Sequence, residues 1–332
     1  MARHLFLAST PFNVITASMI ALELPEEDEA RLWLIDQPKK PSPFMQALPH
    51  WSMSPFAETR VVSYKARSIH ERMNRKSALL DMTETFLHYA PQHLYTGNDR
   101  RIEFQWLMGH ADTRPTGHYL DDGTYTYLGR DTHWLSDKVF DNFLKKATYG
   151  RWWKQPSTIG ASGWISEAHV AFPHEVVPAL REKVLKKLPE NLNDPAFLDL
   201  MSGFDLPADK LMSADIIILV PHESVQDEQT LQAMKNVAQT GKNVLVKNHP
   251  RNTSIPESLT GYDQLPASLP METLLPGINQ HCRIIGDVST ALLTSKWLRP
   301  ELAVTAFAEG NNGLTPLMRQ LGISVVNMKG NI

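Results

Sequence analysis

DIIILV (Asp215–Val220), then EQTLQAMKNVAQT (Glu228–Thr240), Gly241 and NVLVK (Asn243–Lys247): these three runs decide the fold class. The first is apolar at every position after Asp215, as in a strand buried on both faces. The second reads as a helix, with Gly241 as its C-cap signal. The third is again a short apolar strand. Strand, helix and strand in this order make a parallel crossover unit.

The alternation continues outward in both directions. Toward the C-terminus it predicts strands at Arg283–Gly286, Leu302–Thr305 and Ile323–Asn327. In the first half, strands are expected at His4–Ala8, Ala30–Ile35, Arg60–Ser63, Gln92–Thr96 and Gly117–Leu120, with helices near Phe12, at Ser77–Tyr89 and at Arg101–Met108. Each half therefore reads as its own Rossmann-like α/β unit. Pro156, Ser157, Gly160, Ser162, Gly163, Pro173 and Pro178 cluster between the halves. They place the expected joint within residues 155–180 and divide the chain into domains 1–160 and 161–332.

The 332 residues suffice for two domains. Hydrophobic content of 42%, charged content of 21% and a net charge of −3 are those of a soluble globular protein with no basic field for nucleic acid. The single cysteine, Cys282, excludes an internal disulfide and fits a reducing compartment. It sits beside a strand, as a small core residue would. His4–Leu22 is mostly apolar, but Pro11 and Asn13 interrupt it and Glu23, Glu26 and Glu27 follow, so it reads as a first strand and helix rather than a signal peptide. No run reaches the length of a membrane span. The expected location is cytoplasmic.

Three motifs follow predicted strands, where open α/β sheets bind ligands. In Asp121-Asp122-Gly123 the glycine permits a sharp turn, and repulsion and burial of paired carboxylates favour a general base. The same residues also read as a hairpin turn before Thr124-Tyr125-Thr126-Tyr127. His249-Pro250, flanked by Lys247 and Arg251, holds an imidazole in extended backbone beside positive charge, suited to an anion. Ser289-Thr290 precedes the helical run Ala291–Leu298, at a position that either caps the helix or binds phosphate. Pro270-Met271-Glu272 adds a carboxylate that could accept bonds from ribose hydroxyls or open a helix.

The order Asp-Asp-Gly, Lys-x-His-Pro, Pro-x-Glu and Ser-Thr resembles the motifs of bacterial sialyltransferases and polysialyltransferases, including the lipooligosaccharide sialyltransferases. Leu5–Thr16, with Ser9-Thr10-Pro11-Phe12-Asn13, is similar to the first strand and turn of that group, and Tyr95-Thr96-Gly97-Asn98-Asp99 to another strand-end loop. The resemblance implies a GT-B fold, with two Rossmann-like domains facing across a cleft. It also implies an inverting, metal-independent transferase that takes sialic acid from CMP-sialic acid to a surface glycan of lipooligosaccharide or capsule type, with no cofactor. Asp121 or Asp122 would be the base, Asp121 being favoured, and His249 would stabilise or protonate the departing phosphate. Ser289 and Thr290 would bind that phosphate, Lys247 would support the donor electrostatically, Pro250 would belong to the donor site, and Glu272 would hold the ribose. Thr10, Pro11, Asn13 and Asn98 would line the acceptor side.

Other readings stand beside this one. A CMP-Kdo transferase would share the same donor devices. A metal-dependent hydrolase would use His110, Asp112, His118, Asp121 and Asp122, though no close histidine spacing supports it. A non-catalytic GT-B shell would bind glycan or membrane, and the tract Lys145-Lys146 to Arg151-Trp152-Trp153-Lys154 could rest on an anionic inner-membrane surface. No P-loop or Rossmann glycine fingerprint occurs, which removes NTPase and dehydrogenase readings.

Overall fold

The protein is described by a computed structural model over residues 1–65, 69–129, 152–308 and 313–328, with side chains from 77 onward in the helix Ile69–Tyr89. It divides into two units, Met1–Pro41 with Met45–Asn191, and Ser42–Phe44 with Leu192–Ile332.

The first unit is built on a seven-stranded sheet of β1 (Arg3–Ala8), β2 (Glu29–Leu34), β3 (Glu58–Val61), β4 (His93–Thr96), β5 (Thr116–Leu120), β6 (Glu167–Val170) and β7 (Val184–Lys187). Their order is β3-β2-β1-β4-β5-β6-β7, and every pair is parallel. The direction of winding reverses between β1 and β4. The second unit has β8 (Ile216–Leu219), β9 (Val244–Lys247), β10 (Asp263–Leu265), β11 (Arg283–Asp287), β12 (Ala303–Ala308) and β13 (Ser324–Asn327). Their parallel order, β10-β9-β8-β11-β12-β13, reverses between β8 and β11. At such reversals the neighbouring crossovers leave to opposite sides, and a crevice opens at the carboxyl ends of the strands.

Burial explains why the strand pattern was so plain. All four residues of β8 are buried, as are five of six in β1. The helix Glu228–Ala238 turns Leu231, Met234 and Ala238 onto Ile216, Ile218, Val244 and Val246. The first core gathers Leu5, Leu7, Trp33, Leu94, Trp106 and Tyr119 on one face of its sheet. Cys282 is buried, which pushes its thiol up to about 12, so it is a core residue.

Two expectations differ from the structure. The boundary expected at 160/161 falls inside the first unit, which runs to Asn191. β6 and β7 extend the first sheet, but Glu-Ala-His-Val and Val-Leu-Lys-Lys are too short and polar to announce themselves. The Gly- and Pro-rich stretch is a loop of that unit, pinned by the buried Asp99 carboxylate, which accepts Gly160 N–H at 2.8 Å and Ser162 N–H at 2.7 Å. Likewise, Gly123 leads not into a hairpin but into the short helix Thr124–Leu128, its φ of 75° supplying the turn.

No described helix is long and apolar enough to cross a membrane. Of the basic–aromatic tract, Lys145, Lys146 and Arg151 lie outside the described residues. Trp153 is buried in the first core, Trp152 packs edge-on to Trp106, and Lys154 lies 3.9 Å from the Trp164 ring centroid. The described indoles are therefore packing groups.

Candidate active site

In the first unit the ends of β1, β4 and β5 lie side by side around the winding reversal. Past β1, Thr10 caps the helix Pro11–Ala21 by accepting Asn13 N–H at 3.2 Å, with Pro11 in its first turn. The cap fixes Asn13, whose Nδ2 donates to Asp122 Oδ1 at 3.3 Å. Gly97, past β4, is what admits this side chain, since a Cβ there would come within 2.1 Å of Asn13 Nδ2. Asn98 instead closes its own turn, its Oδ1 accepting Arg100 N–H at 3.0 Å.

The two aspartates are not equivalent. Asp121 is 1% exposed, and its carboxylate accepts four donors: Gly123 N–H at 2.9 Å, Thr126 Oγ1 at 2.8 Å, Ala171 N–H at 2.9 Å and the Tyr127 hydroxyl. A carboxylate so saturated ties β5 to β6 and to the helix Thr124–Leu128, and it has little capacity left for a substrate proton. The half-buried Asp122 accepts one bond, from Asn13, and burial pushes it up to about 7, against the opposing pull of Asn13 and Arg101. That value suits a base working near neutrality. The sequence preference for Asp121 thus meets an Asp121 already committed to structure.

In the second unit the ends of β9, β8 and β11 are neighbours. Past β9, the Asn248 side-chain oxygen accepts His249 N–H at 3.0 Å and Asn252 Nδ2 at 2.8 Å, and Asn252 also donates to Pro221 O at 2.9 Å beyond β8. His249 Nδ1 accepts Arg251 N–H at 3.2 Å, so the neutral ring carries its proton on Nε2. Burial, His222 and Arg251 lower its pKa, so it stays neutral near pH 7. Pro250 is exposed and makes the turn between them.

Sequence reasoning passed over His222. It follows β8, its ring lies 5.0 Å from that of His249 at 89°, and its Nδ1 accepts Ser224 N–H at 3.1 Å. The two imidazoles therefore share one arrangement, with Nδ1 tied to backbone and Nε2–H left as donor. The only signal in the sequence was Pro221-His222 after a buried strand. Asp287, at the end of β11 and pushed up to about 6 by burial, was likewise unmarked.

Ser289 occupies the N-cap position of the helix Thr290–Leu298, yet its hydroxyl makes no capping bond and its buried Oγ has no partner. An uncapped helix start keeps its N–H groups and positive dipole end available to an anion. Thr290 begins that helix. Glu272 is buried, accepts Thr294 Oγ1 at 2.7 Å and is pushed up by burial. Lys247 is also buried. Its Nζ donates to Pro266 O at 3.2 Å and Ala267 O at 3.3 Å, and burial lowers it to about 8. It supports the floor of this region rather than reaching outward.

The hydrolase ligand set is not assembled. Asp121 is held by its four donors, and His110 stacks on Trp106 with Nδ1 on its carbonyl. Among the described residues, the one metal-compatible group is His118, Glu167 and His169.

Comparison with known proteins bears on the fold and the family. No functionally curated protein matches the sequence significantly. Among solved structures, the chain is similar to the alpha/beta-galactoside alpha-2,3-sialyltransferase of Photobacterium phosphoreum, with 11% identity, TM-score 0.64 and 98% of both chains covered. It is also similar to the GT-B domain of a Photobacterium damselae sialyltransferase, with 12% identity, TM-score 0.56, and 98% of this chain and 100% of that one covered. The UDP-GlcNAc 2-epimerase of Neisseria meningitidis, solved with UDP-GlcNAc, shares the fold at 9% identity and TM-score 0.58, over 99% of this chain and 88% of that one. At such identities the likeness establishes the α/β GT-B fold. The alpha-2,8-polysialyltransferase family model matches residues 58–308, spanning β3 to β12 and all three motifs. The chain belongs to the alpha-2,8-polysialyltransferase family, within the sialyltransferases.

Proposed function

We propose that the protein transfers sialic acid from CMP-sialic acid to a glycan hydroxyl, with inversion at the anomeric carbon and no metal in the transfer step. Asp122 takes the acceptor hydroxyl proton as the new carbon–oxygen bond forms. The bond from the anomeric carbon to the phosphate oxygen breaks, and CMP departs. Asp121 positions Asp122 by anchoring the strand end that carries both. On the donor side, His249 Nε2–H, the Ser289 hydroxyl, Thr290 and the amides of the helix start take up the phosphate charge. Glu272 receives the ribose. A departing monophosphate develops less charge than a diphosphate, so preorganised donors can serve where other transferases use a cation.

The observation that carries this reading is the unpartnered Ser289 hydroxyl at an uncapped helix start. A structural cap would have used it. The test is calorimetry with CMP, CDP and UMP in EDTA. CMP is expected to bind selectively, and Ser289→Ala/Thr290→Ala to weaken it by about tenfold or more, a loss of roughly 1.4 kcal/mol. Product analysis with CMP-sialic acid and CMP-Kdo then assigns the sugar. Equal binding of all three nucleotides, or of none, would sink the donor assignment.

A further inference from the structure

A row of histidines crosses the first sheet away from the strand ends. His4 on β1 is paired in register with His93 on β4, and their rings stack with centroids 4.5 Å apart. His93 Nδ1 lies 3.0 Å from His118 Nε2 on β5. His118 Nδ1 lies 3.2 Å from His169 Nε2 on β6 and 3.6 Å from Glu167 Oε2. Glu167 is opposite His118 in the β5–β6 register, and His169 follows on the same face two residues later. One face of two adjacent strands thus brings two imidazole nitrogens and a carboxylate together, all three ligand atoms within 4.8 Å of one another.

A hydrogen bond needs two such atoms, whereas three within reach of one another match the protein ligand number of an open metal site. Tetrahedral zinc with ligand bonds of about 2.0–2.1 Å holds its ligand atoms about 3.4 Å apart. The separations of 3.2 Å to His169 Nε2 and 3.6 Å to Glu167 Oε2 bracket that value. We propose that His118 Nδ1, His169 Nε2 and the Glu167 carboxylate form a binding site for one divalent transition-metal ion of the zinc class. His93 Nδ1 meets Nε2 of His118 from behind, which fixes Nδ1 as the nitrogen that faces the ion. Two imidazoles and one carboxylate favour Zn²⁺ or Co²⁺ over Mg²⁺ or Ca²⁺, which prefer all-oxygen sites.

The surroundings agree. The His118 side chain is buried and that of His169 half-buried, so both ring nitrogens are shielded from bulk water. The exposed Lys186 on β7 is opposite His169. Its charge opposes the ion, and Glu167 supplies the compensating negative charge. The Glu167 side chain is 29% exposed, which gives an entry path.

The site would be a clamp and not part of the transfer chemistry. It joins β5 to β6, the two strands whose ends hold Asp121. Asp121 N–H donates to His169 O at 2.9 Å, and its carboxylate accepts Ala171 N–H. An ion there tightens the pair on which Asp121 and Asp122 are mounted, while the phosphate donors are all in the other unit. Loss of the metal site would therefore leave CMP binding intact, and failure of the CMP assay would not bear on the metal.

The test uses untagged, EDTA-stripped full-length protein titrated with Co²⁺ and then Zn²⁺. One equivalent of Co²⁺ is expected to give the visible ligand-field bands of a low-coordinate nitrogen–oxygen site, Zn²⁺ to bleach them, and both to raise the Tm. Glu167→Gln and His169→Gln, at half-buried positions, are expected to weaken Co²⁺ binding by about 30-fold or more while keeping the metal-free circular dichroism spectrum. His222→Gln/His249→Gln keeps the bands. Absence of a stoichiometric site, or bands that survive Glu167→Gln and His169→Gln but vanish in His222→Gln/His249→Gln, would overturn the proposal. The row would then be a hydrogen-bonded chain of neutral imidazoles.

Discussion

The two units place polar groups at the same point of the same winding, and they use them in opposite ways. At the ends of β1, β4 and β5 the groups satisfy one another: Asp121 with four donors, Asn13 between Ser9 and Asp122, Asp99 with two amides. At the ends of β8, β9 and β11 they are held from behind and left open in front. His222 and His249 are each tied through Nδ1, and the Ser289 hydroxyl is unpartnered. A base must be desolvated and aimed, which requires a rigid shell. An anion site must keep donors in reserve until the anion arrives, because their mutual satisfaction would compete with binding.

The largest expected effect breaks the first unit's side of this contrast. Asp122→Asn is predicted to lower kcat/KM by about 10²- to 10⁴-fold, the usual worth of a general base, with folding intact. The carboxyl must be ionised to act, so wild-type kcat/KM is predicted to climb with pH and level off above about 7. Linkage gives the same group a second signature. Its folded-state pKa is raised, so its contribution to stability is complete at low pH and is lost as pH rises through about 7. The Tm difference between Asp122→Asn and wild type should therefore shift in favour of the variant from pH 6 to pH 8. A flat pH–rate profile would remove Asp122 as the base.

Asp121→Asn separates positioning from chemistry. It leaves amide and hydroxyl donors from three segments short of an acceptor, at a cost of about 2–4 kcal/mol. Thermal unfolding should show a clearly lowered Tm where Asp122→Asn shows none. Equal Tm for the two variants would mean that the four bonds to Asp121 carry no structural weight.

Much of the fold was legible in the sequence. β1, β8, β9 and β11 announced themselves because burial on both faces leaves an apolar run in each: Leu5–Ala8, Ile216–Leu219, Val244–Val246 and Ile284-Ile285. The three motifs were visible because each follows a short strand. β6 and β7 were not, since Glu167, His169, Lys186 and Lys187 give a strand no apolar signature, and the boundary was misplaced with them. The roles of Asp121 and Asp122 were illegible for a different reason. Four of Asp121's partners lie two to fifty residues away, and only the fold shows that Ala171 and Tyr127 reach it. His222 escaped notice because nothing in Pro221-His222 tells that its ring meets that of His249 across two strand ends.

On the open side the effects are smaller and graded. His249→Ala is predicted to lower kcat by about 10²-fold, as loss of one preorganised donor does, and to leave Asp122's pH profile in place. His222→Gln sharpens the comparison further. Gln keeps a side-chain donor but not the edge-on ring that packs against His249, so donor KM should rise a few-fold with kcat nearly unchanged. If His222→Gln instead matched His249→Ala in kcat, the two imidazoles would act as one charge-receiving unit, and the open side of the second unit would be as tightly interdependent as the closed side of the first.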